Sequence, residues 1–251
     1  MDNVYRSHQR FSYRVRSDSG SFVKNNSKIL RAFASAVAAG MMLSASVFSL
    51  AQEGIALKTK IPHAPYIVIM GLLLGAAFFW ITEKTVAVYT VEGPIFHTKF
   101  SKKGLLIFIA MFVHSIPEGI AIGVGFATGN FHFGMIMAMA IAVHNIPEGI
   151  AVSLPLKAEG VSTSKCAIAS ILTSLPQPLM AVPSALLTWM FEPLLPVGLG
   201  FAGGAMIYLV MAELIPEALE EGGKTLTAWG VMIGLSGMLL LTNLLQLIQF
   251  N

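Results

Sequence analysis

The chain has 251 residues, of which 55% are hydrophobic and 12% charged, with a formal net charge of +3 and a mean hydropathy of +0.72. Soluble domains carry about 25% charged residues, and half that fraction cannot cover a water-facing surface of this size. The composition excludes a soluble enzyme, a nucleic-acid-binding protein and a disordered chain. It points to a polytopic membrane protein whose surface is covered by lipid.

In chain order, residues 1–29 form a basic, serine-containing segment. It is expected to be a disordered cytosolic arm near anionic lipid, although its poverty in acids loosely resembles an organelle transit peptide. Residues 30–251 are expected to form a single transmembrane domain. Seven apolar stretches follow one another: Leu30–Ala51, Ala64–Ile81, Gly104–Ala127, Phe131–Leu156, Cys166–Met190, Leu194–Ile215 and Thr225–Ile248. Crossing a hydrocarbon core takes about 20 helical residues, and the runs lack the alternation of a membrane β-barrel. Helices satisfy their own backbone hydrogen bonds in lipid. The expected fold class is therefore an all-α membrane protein, a helical bundle of about seven transmembrane helices kinked at Pro117, Pro147 and Pro216. The sole cysteine, Cys166, excludes an internal disulfide framework and a cysteine-cluster metal site.

Charge sets the orientation. Fourteen of the sixteen basic residues fall in the N-terminal arm and in the loops after the second, fourth and sixth stretches, leaving Lys58 and Lys60 on the other side. By the positive-inside rule the N-terminus is cytosolic and the C-terminus extracytosolic. The Asn25-Asn26-Ser27 sequon lies on the cytosolic side and is discounted. The loop Glu83–Lys103 has one histidine, His97, and so is no histidine-rich metal-sensing loop.

The third and fourth stretches contain an internal repeat. His114-Ser115-Ile116-Pro117-Glu118-Gly119-Ile120-Ala121 recurs thirty residues later as His144-Asn145-Ile146-Pro147-Glu148-Gly149-Ile150-Ala151, with seven of eight positions identical. Residues four apart share a helix face, which places His114 over Glu118 and His144 over Glu148. Each proline removes a backbone donor, and each following glycine lets another helix or an ion approach. An ionised carboxylate at the bilayer centre costs at least ~2.5 kcal/mol, and two on adjacent helices repel. A bound cation cancels both penalties, and imidazole with carboxylate suits borderline divalent ions such as Zn²⁺. A His–Glu pair also suits a structural ion pair or a proton relay. Duplication favours a metal path, because two copies offer ligands for adjoining sites.

Two further segments add candidates. Glu213 follows about twenty uncharged residues at the end of the sixth stretch, just before Pro216. Glu217, Glu220 and Glu221 read as a solvated exit rim, and Glu53 and Glu83 as interfacial. In the first stretch, Ala39-Gly40-Met41-Met42-Leu43-Ser44-Ala45-Ser46 reads first as a close-packed helix face. The Met42 thioether is the alternative, as a soft metal ligand.

The segments HSIPEGIAIGVGF, HNIPEGIAVSLPL, FAGGAMIYLVMAELIPEA and AAGMMLSASVFSL resemble the ZIP (Zrt/Irt-like) family of metal-ion transporters, in particular its GufA-like branch. The resemblance runs in order from about Ala32 to Ile248. It implies passive import of zinc into the cytosol, with Fe²⁺, Mn²⁺ and Cd²⁺ as further ions, no prosthetic group, and a homodimer as one assembly. Carried over position by position, it implies one metal subsite of His114, Glu118, Glu148 and Met42. A second would be formed by Ser115, Glu118, Asn145, Glu148 and Glu213, with both glutamates bridging and His144 beside them. Ser115 departs from the pattern, since Asn is frequent there. The family's eight helices, arranged three, two and three about a pseudo-twofold axis, leave this chain without the first. The expectations are a truncated product, an isoform or an impaired variant, and hence either a transporter or a non-transporting metal-binding partner. An intramembrane hydrolase is disfavoured, because the sequence has no HExxH.

Overall fold

The structure is a computed structural model. It describes the backbone of residues 28–92 and 102–247, with side chains over 28–85 and 108–247. Residues 1–27 of the basic arm, with His97 and Lys99, lie outside the described residues. Among the described residues the regular elements are all helices. The first, α1, covers Lys28–Thr59, with a π-helical stretch at Ala45–Ala51 and a final 3-10 turn at Leu57–Thr59. There follow α2 (Ala64–Glu92), α3 (Lys102–Ala127), α4 (Phe131–Ala158), α5 (Thr163–Thr173) and α6 (Pro176–Met190). Last come α7 (Leu194–Leu209), a π-helical turn at Val210–Leu214 and α8 (Ile215–Leu247).

Among the described residues, six stretches of helix are long and apolar enough to cross a membrane. The last of them, Leu194–Leu247, has 54 residues, about 80 Å of helix at 1.5 Å per residue. A hydrocarbon core of about 30 Å cannot take that in one pass. The backbone leaves helical geometry at Gly223 (φ 75°, ψ 172°), a conformation open to glycine, so this stretch contains two passes, as the sequence pattern requires.

The backbone stays helical through Pro117 and Pro147. Departures from α-helical geometry among the described residues lie at the two π-helical stretches and at Gly223. The π turn Val210–Leu214 ends two residues before Pro216, where it absorbs the loss of that residue's backbone donor.

The core is an apolar cluster running from Met42 and Leu50 of α1 through Val124 of α3 and Met137 and Ile141 of α4 to Leu199 and Met206 of α7. Lipid tails are as apolar as leucine, so membrane helices associate through close packing. Accordingly α1 lies so near α8 that a Cβ on Gly40 would overlap the backbone of Val231 and Leu235. The small-residue face of α1 is therefore a packing face, as expected. Large side chains such as Tyr66 and Leu73 on α2, Ile171 on α5 and Trp189 on α6 point outward, where they face lipid.

One charged contact closes the bundle. Arg31, with its side chain 7% exposed, holds Glu221 through two nitrogens and lies 3.8 Å from Glu217. Glu221 is thus a partner of α1 and not part of a solvated rim. Buried ion pairs are weak evidence of net stability, but breaking one by removing a single partner is costly. In a double-mutant cycle of Arg31→Ala and Glu221→Ala in detergent micelles, the coupling energy is expected to exceed the ~1 kcal/mol upper range of exposed pairs. Additive melting-temperature losses would contradict this.

Candidate metal centre

The two copies of the repeated motif lie on adjacent helices, α3 and α4, and supply two carboxylates to one apolar interior. Glu118 is fully buried and Glu148 nearly so. Between them lies His144, also fully buried. Its Nε2 is 3.1 Å from Glu118 Oε1 across the helix interface and 4.0 Å from Glu148 Oε1, one turn along its own helix. One ligand atom from each of Glu118, His144 and Glu148 lies within 4.8 Å of the other two. Tetrahedral donors about 2.0–2.1 Å from a zinc ion are about 3.3 Å apart, so a small closure brings these three atoms around one cation.

The motif glycines explain how a third element reaches this point. A Cβ on Gly119 would overlap the backbone carbonyl of Gln177, and one on Gly149 would press on the Ser170 hydroxyl. Glycine in the two copies thus seats α6 against α3 and α5 against α4. The approach at Gly119 places the buried Gln177 amide against the centre. Gln177 Nε2 donates to Glu118 Oε2 at 2.6 Å and to Asn145 Oδ1 at 3.2 Å, while its Oε1 accepts from Asn145 Nδ2 at 3.1 Å.

His114 takes a different partner. The helical spacing places it over Glu118, yet its Nε2 faces Glu213 Oε2 at 3.2 Å, a carboxylate brought in by the π turn after α7. Its Nδ1 lies 3.3 Å from Met111 Sδ, and its ring packs on Phe79 with centroids 5.1 Å apart. Glu213 is the most open of these acids, with its side chain 31% exposed.

The remaining candidates divide accordingly. Ser115 is buried on α3 and Asn145 half-buried on α4. Met42 is fully buried in the apolar cluster, together with Leu209 beside the π turn and Val210 and Leu214 within it. The structure therefore groups Glu118, His144, Glu148, Asn145 and Gln177, and forms a second pair from His114 and Glu213. Gln177 escaped the sequence reading because it is uncharged. Its signal was a single amide between Pro176 and Pro178 within an otherwise apolar stretch.

Electrostatically the centre is incomplete on its own. Glu148 Oε1 and His144 Nδ1 are buried with no hydrogen-bond partner among the described residues, and so is His114 Nε2 by hydrogen-bond geometry. An unsatisfied buried polar atom costs about 1–3 kcal/mol, and more when charged. A divalent cation answers that cost directly.

A family model described as ZIP Zinc transporter matches residues 96–242. A relative from Arabidopsis thaliana whose name includes the words zinc transporter is 39% identical over 213 residues, covering 84% of this chain and 33% of that protein. Zinc transporter GufA of Myxococcus xanthus is 38% identical over 176 residues, covering 69% of each chain. Zinc transporter ZIP11 of Bos taurus is 46% identical over 135 residues, covering 51% of this chain and 40% of that one. The chain thus spans from a third to about two thirds of the length of these relatives.

Removing one buried charge should matter even without metal. In excess chelator, Glu148→Gln is expected to melt at a higher temperature than the parent chain, because a buried carboxylate whose Oε1 has no hydrogen-bond partner leaves the interior. A lower melting temperature in chelator would contradict an uncompensated charge at this position.

Proposed function

Because the chain belongs to the ZIP zinc-transporter family, we propose that it carries zinc across the membrane toward the cytosol, binding it on the way at Glu118, His144 and Glu148. The observation that carries this reading is the convergence of these three buried side chains within 4.8 Å. Their donors, one imidazole and two carboxylates, suit a borderline divalent ion, which extends the proposal to Fe²⁺, Mn²⁺ and Cd²⁺ as competing cargo. ZIP family members are transporters and not enzymes, so the centre binds and releases an ion without consuming it.

The proposed passage has two stages. Zinc exchanges hydration water for Glu118, His144 and Glu148, and the two carboxylates cancel its charge in the apolar interior. Met42 and Ser115 supply further neutral donors around this position, while the Asn145 amide is held by Gln177. His114 and Glu213 then accept the ion. They lie about 6 Å along α3 from Glu118, at 1.5 Å per residue, toward the end that the charge bias assigns to the cytosol. The greater exposure of Glu213 supports release there. Orientation with the N-terminus cytosolic and the C-terminus extracytosolic belongs to the same proposal.

The test is flux of radioactive zinc into proteoliposomes holding the full chain. Glu118→Ala and Glu148→Ala are each expected to reduce initial uptake to the level of empty vesicles, at unchanged yield in the membrane. Uptake at the parent rate in either variant overturns the proposal. Zinc binding without flux in the parent would make the chain a non-transporting metal-binding partner. His144→Ala is expected to weaken zinc binding at least tenfold, about 1.4 kcal/mol, as measured by isothermal titration of the purified chain. An unchanged affinity would remove His144 from the centre.

A further inference from the structure

We propose that Gln177 limits the buried centre to a single divalent cation, so that each chain binds one ion there and not two. The inference rests on the transport reading and specifies its stoichiometry. It starts from the direction of hydrogen bonds. A carboxylate oxygen accepts hydrogen bonds and cannot donate them while ionised. The 2.6 Å contact to Glu118 Oε2 therefore fixes the Gln177 amide with its NH₂ group toward the centre. The same NH₂ group faces Asn145 Oδ1, and the reciprocal bond from Asn145 Nδ2 to Gln177 Oε1 locks both amides in register.

This arrangement removes ligands from one side of the site and leaves them on the other. Glu118 Oε2 and Asn145 Oδ1 are oxygens that a second cation would need on this side. Both are committed to a nitrogen that has no lone pair to offer a metal and carries partially positive hydrogens. Glu118 Oε1 and Glu148 Oε1, the latter with no hydrogen-bond partner among the described residues, instead face His144 Nε2 at 3.1 and 4.0 Å. The asymmetry provides for one ion.

Charge leads to the same count. Glu118 and Glu148 are the two buried carboxylates of the cluster, and one dication neutralises them. A second dication would leave an excess of two positive charges in an apolar interior, where isolated charge is costly. The next acid, Glu213, lies outside this cluster, 3.2 Å from His114. Gln177 is uncharged and adds no compensation. Gly119 keeps Gln177 in place, because the backbone of α3 lies directly on the backbone at Gln177.

The experiment measures zinc bound to the purified full chain by equilibrium dialysis with metal analysis, subtracting the amount bound by the Glu118→Gln/Glu148→Gln double variant. The parent is expected to retain one ion above that background, with no metal–metal scattering in X-ray absorption. Gln177→Glu, which keeps the shape and adds a third buried carboxylate, is expected to retain two, a twofold rise. Two ions in the parent, or one in a folded Gln177→Glu chain, overturns the inference and leaves transport untouched. No ion above background in the parent overturns both. The parent count requires no folded Gln177 variant.

Discussion

Two carboxylates buried against one another in an apolar interior constrain everything around them. Neither Glu118 nor Glu148 reaches bulk water, and their mutual repulsion adds to the cost of removing each from it. Such an arrangement persists when something restores the balance. The chain provides only part of that balance, through the His144 imidazole and the Gln177 amide, and leaves Glu148 Oε1 unsatisfied. A protein held together for stability alone would favour apolar side chains here. The deficit is what makes the centre a place for a cation to enter and to leave.

Packing around the centre follows from the need to bring three backbones together. The repeated motif achieves this twice with the same residue order. Histidine and glutamate one turn apart present their polar atoms to the interior, and the glycine after the glutamate admits the α5–α6 arm. Elsewhere the bundle uses the same device without polar cargo, as where Gly40 meets α8 and where Gly71 and Gly75 meet α7. Small residues thus do two jobs here: they allow tight helix pairs in lipid, and at Gly119 they deliver an amide to a carboxylate.

Much of this was legible in the sequence, for identifiable reasons. Crossing lengths are set by hydrocarbon thickness, so the apolar stretches mark the passes, and the two passes joined at Gly223 are separable by length alone. A duplicated His–Glu motif is conspicuous in a chain so poor in charge, and its helical spacing places His144 one turn from Glu148. Other features depend on tertiary geometry. Whether His114 turns to Glu118 or to Glu213 depends on how the helices pack to set Glu213 3.2 Å from it, and no local pattern encodes that choice. Gln177 carries no charge, and so a search for stranded charges passes over it. Glu221 looks like one of several exposed acids until α1 brings Arg31 against it.

That last contact has a consequence for how the molecule can be handled and observed. Arg31 is three residues into the described chain, and its hold on Glu221 pins the start of α1 beside the corner where α8 bends at Gly223. A fluorophore or spin label placed on Lys28 acts as a reporter of that corner. Its signal reports how the start of α1 sits against the helical turn before Gly223.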